Sequence, residues 1–412
     1  MLTSTDTRPP VQAGSPWRVL AILSLAIVLS MTTWFSATAI VGELKAVWSL
    51  TDDSATWLTN AVQIGFVAGA LGASFVNLPD LVAARTLMAT SAAIAAGANL
   101  LLLAAPSAEA AIALRFLTGV ALAGIYPPAL KLISTWFIRG RGLALGIVIG
   151  ALTLGSAFPH LLRATTTGLH WQVVVVGTSV MTLVGAALMA LFAREGPSAY
   201  PKATFNPRQL GDVLRNKPVM LANIGYFGHM WELYAMWGWF LAFIHAALEP
   251  HGLGASAASM TTFLVIASGF IGCVVGGVMA DRIGRTATTS IMMATSGTCA
   301  LLIGFAFGGP LWILLAISIV WGISVIGDSA QFSAIVTEVG DSSFVGTSLA
   351  LQLGLGFALT VIAIRALPSF ADYLGGWQWA FVLLVPGPII GTIAMLALRR
   401  LPQAEKIAQG RR

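Results

Sequence analysis

Charge is scarce in this 412-residue sequence: Asp, Glu, Lys and Arg make up 9% of it, against roughly a quarter in ordinary soluble domains. So little charge, beside 57% hydrophobic residues, excludes a chain of solvated domains. Cysteine is nearly absent. Cys273 and Cys299 both fall in apolar runs, which excludes a disulfide framework and reads as two buried small hydrophobes. Histidine and cysteine are too scattered for a metal site. No Walker sequence is present, and Gly354-Leu355-Gly356 lies in an apolar run and does not follow a strand, so nucleotide-driven chemistry has no support. Nothing resembles a Ser-His-Asp arrangement on an exposed turn. No enzyme and no cofactor are therefore expected. The first apolar run is too long for the core of a removable signal peptide, and no small-residue cleavage site follows it.

Long uncharged runs are plentiful. They predict an all-α membrane protein with twelve helices over 17–42, 54–77, 86–105, 109–137, 142–165, 170–193, 218–247, 255–280, 286–307, 311–338, 342–366 and 376–399. Each is long enough to cross a hydrocarbon core of roughly 30 Å. The net charge of +6 could suggest nucleic acid, but its placement does not. On the twelve-helix reading only Lys45, Arg163 and Arg365 lie on one side, and Arg115 and Lys131 lie within helix 4. The remaining basic residues fall on the other side. That asymmetry predicts a multi-pass protein of the plasma (inner) membrane with both termini cytoplasmic.

Residues 194–217 form the one long polar connection, with six helices before it and six after. The expected organisation is a cytoplasmic tail over 1–16, bundles over 17–193 and 218–400, this central loop, and a second cytoplasmic tail over 401–412. The halves repeat one another. Arg163-Ala164 and Arg365-Ala366 each precede a loop and a Trp-Gln pair (Trp171-Gln172, Trp377-Gln378), and "PDLVAART" at 79–86 parallels "ADRIGRT" at 280–286. Two copies of a six-helix unit suit a transporter with its site between them.

The stretch "GGVMADRIGRT" resembles the loop signature of the major facilitator superfamily, with Gly277, Asp281, Arg282, Gly284 and Arg285 in place. Arg115 and Gly119 resemble that family's helix-4 pattern, and "WFIRGRGLALGI" its loop between helices 4 and 5. The resemblance implies two pseudo-symmetric bundles and alternating access. It also implies a link between Arg115 and proton coupling. The first-half loop copy, around Asp80 and Arg85, lacks the Gly and the first Arg. Nitrate and nitrite porters of the family carry Arg in helices 2 and 8 at mid-depth; this chain has none there.

Charges inside a membrane helix cost about 2.5–3.5 kcal/mol each on insertion scales, so each needs a partner or a wet passage. On helix 7, His229, Glu232 and Trp239 share a face, with Phe227, Trp231 and Tyr234 opposite. Helix 10 aligns Asp328, Gln331 and Glu338. The expected cavity is lined by Trp34, Asn60, Gln63, Arg115, Tyr126, His229, Glu232, Trp239, Asp328 and Gln331. Glu232 or Asp328 would carry the proton, and Arg115 would be a fixed cation for an anion or carboxylate. Tyr126-Pro127-Pro128 should break helix 4. Asp80, Arg85, Asp281, Arg282, Gly284, Arg285, Glu338 and Asp341 are expected to form a cytoplasmic gating latch. His160, Arg163 and Arg365 are placed at an outer vestibule.

These readings predict a proton-coupled secondary transporter of a small polar organic solute, an anion or zwitterion. The alternatives are a proton/drug efflux antiporter and, in another class, a non-transporting membrane sensor. The expected partners are the solute, protons and the lipid bilayer, with no nucleic acid, and the expected unit is a monomer.

Overall fold

The computed structural model describes residues 15–76, 78–137, 140–166, 170–198, 206–341 and 345–412; among them there is no strand. Span 1 is built from Pro16–Met31, Ser36–Ala39 and Val41–Trp48, and span 2 is Asp52–Phe75. Span 3 joins Ala84–Leu100 to Leu101–Ala104, span 4 joins Ala108–Leu122 to Tyr126–Ser134, span 5 is Arg141–Thr165 and span 6 is Gln172–Phe192. After a short helix at Leu210–Arg215 come span 7 (Lys217–Leu248), span 8 (Ala255–Ile283) and span 9 (Arg285–Leu302 with Ile303–Ala306). Span 10 is Leu311–Gly327 with Ser329–Val339, span 11 is Val345–Tyr373, and span 12 is Ala380–Leu384 with Pro386–Arg399.

Ten of these are long and apolar enough by composition alone to cross a membrane. Spans 1 and 7 fall short for different reasons: span 1 is interrupted, and span 7 carries His229, Glu232 and a row of indoles and phenols.

Within each half the helices approach closely because glycine lets them. A Cβ at Gly65 or Gly119 would overlap backbone of span 4 or span 2 respectively, and one at Gly272 would overlap the Ile323 carbonyl of span 10. Small residues serve this purpose where lipid supplies no hydrophobic drive for helix association.

Two seams join the halves. Spans 5 and 8 meet from end to end. At the end where Ser15 and Arg412 lie, called proximal here, Gly142 faces Asp281. In between, the rings of Phe158 and Phe263 are 6.1 Å apart. At the distal end Ser256 donates to the Ala164 carbonyl at 2.8 Å. Spans 2 and 11 form the second seam. Asn60 Nδ2 reaches the Val361 carbonyl at 3.5 Å, the Phe66 and Phe357 rings are 4.5 Å apart, and Arg365 lies over the Trp57 ring at 5.6 Å. Spans 5 and 8 thus touch at both ends, and spans 2 and 11 from the distal end to mid-depth.

Span 4 breaks at Ala123–Ile125, just ahead of Tyr126-Pro127-Pro128, where proline removes amide donors. Two further breaks depart from the expected continuous helices. Span 1 opens at Thr32–Phe35, and span 10 turns at Asp328. The chain after span 12 also differs from a free tail. Ala404 and Ile407 are buried, and the Ala408 amide donates to Glu338 Oε2 at 3.0 Å. Residues 1–14 and 199–205, which fall in the expected tail and central loop, lie outside the described residues.

Candidate functional site

The site begins with the break in span 1. Its sequence, Thr32-Thr33-Trp34-Phe35, is β-branched and aromatic, and its hydroxyls compete with the helical ladder. Thr32 Oγ1 bonds the Leu29 and Thr178 carbonyls at 2.8 and 3.0 Å. Arg115 then gathers the loosened backbone. Its Nη1 donates to the Thr33 carbonyl at 2.8 Å and to Ser36 Oγ at 3.1 Å, its Nε to the Leu58 carbonyl at 3.2 Å, and its Nη2 to the Trp34 carbonyl. Asn99 Oδ1 is 3.3 Å from Nη1. The guanidinium is fully buried among these groups. It therefore serves span 1 and not the passage expected from sequence.

Held this way, Trp34 and Phe35 project across the interface between the halves. Trp34 stacks on Tyr234 at 5.7 Å and packs against Phe66 at 5.0 Å and Phe357 at 6.1 Å. Phe35 meets Tyr234 at 6.3 Å and Trp237 edge-on at 6.0 Å. The result is an aromatic cage drawn from spans 1, 2, 7 and 11. Its fringe carries polar atoms that find no hydrogen-bond partner in the protein: Trp34 Nε1, Trp237 Nε1, both amide atoms of Gln63 and Asn60 Oδ1. All four side chains belong to buried residues. Buried polar atoms are normally paired, which makes this cluster the candidate ligand-facing surface.

The ionisable groups sit in the second half. His229 Nδ1 lies 2.9 Å from Asp328 Oδ1, across from span 7 to the turn in span 10, and both residues are buried. Glu232 lies deeper in the bundle. Its Oε2 accepts from Ser296 Oγ at 2.8 Å and its Oε1 from Trp321 Nε1 at 2.7 Å. Trp321 is itself held edge-on by Phe381 at 4.9 Å. Span 7 therefore divides its faces differently from the sequence expectation. Tyr226, Tyr234 and Trp237 look toward the first half and span 11, whereas His229 and Glu232 look into their own bundle.

Trp239 also lies elsewhere than expected. Its Nε1 donates to the Ile364 carbonyl at 2.8 Å and its ring stacks on Trp377 at 5.5 Å. Pro368, four residues after Ile364 within span 11, has no amide to offer that carbonyl. The indole takes the place of the missing donor and is a strut, not a cavity wall. Tyr126 starts the second segment of span 4 and is partly buried. Sequence reasoning missed Phe35, Phe66, Tyr234, Trp237 and Phe357. Only their pairing across the two halves distinguishes them from ordinary core aromatics.

A family model described as the Major Facilitator Superfamily matches residues 23–364. The chain belongs to the major facilitator superfamily. Among curated relatives, the MFS-type transporter pytF of Aspergillus terreus is 30% identical over 179 residues, 42% of this chain and 58% of that protein. The agnestins efflux protein AgnL12 of Paecilomyces divaricatus is 26% identical over 194 residues, 45% of this chain and 42% of that protein. The chain spans about half the length of the curated relatives it matches. The solved fucose:proton symporter FucP of E. coli shares the fold at a TM-score of 0.68 with 14% identity, covering 94% of this chain and all of that one.

The superfamily loop signature has a definite setting here. Arg285 clasps Glu338 with two nitrogens at 2.8–3.1 Å and gives its third to Gln331 Oε1 at 2.7 Å. Gly284 takes a positive φ of 93° as the chain turns from span 8 to span 9. Asp281 faces the start of span 5, where a Cβ on Gly142 would stand 2.8 Å from its Oδ1; a carboxylate there complements the positive end of that helix. Arg411 donates to the Asp281 carbonyl. Arg282 and Arg85 are exposed, as is Asp341, and the Asp80 side chain lies outside the described residues. The latch thus has two parts: Arg285–Glu338–Gln331 ties the second half to itself, and Asp281 reaches the first half. At the distal end Arg163 pairs with Glu43 of span 1 and Arg365 covers Trp57. His160 is fully buried with both ring nitrogens unpartnered, so it does not line an open vestibule.

Proposed function

We propose that this superfamily member is a proton-coupled secondary transporter that exports a small, amphipathic, ring-bearing organic compound by alternating access. The reading places it in the plasma (inner) membrane with both termini cytoplasmic, as a monomer with bundles over 17–193 and 218–400. The observation that carries it is the cage at the interface: stacked aromatic rings with neutral indole and amide groups at their margin. Aromatic faces favour a planar ring, and Gln63 offers both donor and acceptor. The organic anion expected from sequence depended on Arg115 as its counter-charge, and Arg115 is occupied by the carbonyls of spans 1 and 2. A neutral or weakly basic ring is the better match. The relative named as an efflux protein supports the outward direction.

Coupling is assigned to the buried carboxylates of the second half. Asp328 shares its site with His229, and Glu232 is held by neutral donors alone among its hydrogen bonds. A proton taken up there changes the cost of leaving the group buried, which is the means by which a gradient biases one conformation over another.

The test is transport in proteoliposomes across a panel of aromatic compounds with an imposed pH gradient. Glu232→Gln and Asp328→Asn should each abolish gradient-driven accumulation while leaving exchange at equilibrium. If both variants accumulate like the parent, the proton assignment fails. If only organic anions are carried, the substrate class fails.

A further inference from the structure

The segment that follows span 12 folds against its own backbone preferences. Ala408, Gln409 and Arg412 take positive φ values of 48°, 59° and 63°, and Gly410 takes 92°. Left-handed backbone is unfavourable for any residue with a Cβ and persists only where surrounding contacts over-determine it. Here they do. Ala404 and Ile407 are fully buried, although most of their neighbours in the segment are exposed. At the bend the Ala408 amide meets Glu338 Oε2 at 3.0 Å, the same oxygen that accepts from Arg285 Nε at 2.9 Å. Beyond the bend, Arg411 donates to the Asp281 carbonyl, and the Arg412 carbonyl accepts from Arg399 Nη1 at 3.1 Å. The backbone passes so near the turn between spans 8 and 9 that a Cβ on Gly284 would collide with the carbonyl oxygens of Arg411 and Arg412.

We propose that residues 401–412 are an autoinhibitory strap on the proximal mouth. Docked, the strap clamps the second segment of span 10 to the turn between spans 8 and 9. Released, it frees that segment, and the proximal mouth opens more readily. The inference rests on the alternating-access reading above, and not on the proton or the substrate class. The choice of anchors supports it. A segment that merely covered the proximal face could bury Ala404 and Ile407 with a relaxed backbone. This one accepts a left-handed bend and so reaches Glu338, which closes the grip of Arg285, and Asp281, whose carboxylate faces Gly142 of the first half. The strain also offsets part of what the contacts contribute. Docked and released forms are thereby brought close in energy, as a device that must let go requires.

The experiment uses the full chain with Cys273→Ala and Cys299→Ala in liposomes. Ala144→Cys near the proximal end or Ala164→Cys at the distal end reports opening by its rate of alkylation with a maleimide. Gln409 carries the test because its side chain is exposed, so a substitution there alters the cost of the bend and leaves the buried face alone. Gln409→Val sets a β-branched residue at positive φ. It should release the strap and make Ala144→Cys react about fivefold faster, a factor in line with the left-handed penalty of one residue. Gln409→Gly removes that penalty and should slow the reaction about fivefold. Removal of residues 401–412 should speed it at least as much as Gln409→Val. Hydrogen exchange at the Ala408 amide reads docking directly and should rise with Val and fall with Gly. Ala164→Cys should shift in the opposite sense to Ala144→Cys. If exchange follows the substitutions while Ala144→Cys keeps its parental rate, the segment only supports the fold and the strap is overturned. Exchange that ignores both substitutions overturns it as well. If the shortened chain does not fold, the two Gln409 variants decide. If Ala144→Cys responds and Ala164→Cys does not, the strap stands and the alternating-access reading fails.

Discussion

Replacing Arg115 by lysine separates two roles that sequence could not. As a fixed counter-charge, either cation would do. As a clasp on the break in span 1, only the guanidinium fork reaches every acceptor. Lysine can place its ammonium at the corner shared by the Thr33 carbonyl, Ser36 Oγ and Asn99 Oδ1, where Nη1 sits now. It cannot also reach the Trp34 carbonyl, which Nη2 holds. The Leu58 carbonyl, inside span 2, retains its helical partner. One buried carbonyl is orphaned, at about 1–3 kcal/mol. Hydrogen bonds in membrane bundles average nearer ~0.6 kcal/mol because the unfolded helices also find partners, so Arg115→Lys should destabilise by about 1 kcal/mol. The assay is unfolding in detergent alongside binding of paired neutral and anionic ring compounds. Stability should fall, and affinity should fall for both compounds alike, because Trp34 loses its anchor. Unchanged stability with a loss confined to the anion would refute the clasp and restore the counter-charge.

Trp239→Phe should cost about 1 kcal/mol of stability by freeing the Ile364 carbonyl. In a Pro368→Ala background, where a backbone amide can serve that carbonyl, the cost should largely vanish in a double-mutant cycle. Gly142→Ala sets a methyl group against Asp281 and should loosen the proximal mouth, seen as faster alkylation of a cysteine at Ala144, which is buried in the closed form. Glu338→Gln weakens a partly exposed ion pair worth about 1 kcal/mol or less, so its thermal midpoint should barely move. The same proximal cysteine should nevertheless react faster, because the change acts on the balance of open and closed states.

The membrane spans were legible because hydrocarbon tolerates few charges, and the break in span 4 because proline announces it. The breaks at Thr32–Phe35 and Asp328 were not, since neither contains proline and each is stabilised by residues far along the chain: Arg115 for the first, His229 for the second. The ionisable residues of the site were readable one by one. Their direction was not. A polar stripe on a soluble helix points to water, but in a bundle every face has a neighbour, and His229 and Glu232 find theirs within their own half. That left Tyr226, Tyr234 and Trp237 to form the interface, on a face whose greasiness gave no hint of it. Trp239 was misplaced because the carbonyl it serves is freed by a proline more than a hundred residues away.

The turn in span 10 joins chemistry to mechanics. Asp328 ends one rigid rod and begins another, the eleven residues Ser329–Val339. Gln331 and Glu338 on that short rod are gripped by Arg285. A change in the Asp328–His229 contact alters the bend at one end of a lever about 16 Å long, and its far end swings at the proximal mouth. On the proton-coupled reading proposed above, a proton arriving at the middle of the bilayer would be felt as torque on a gate it never touches.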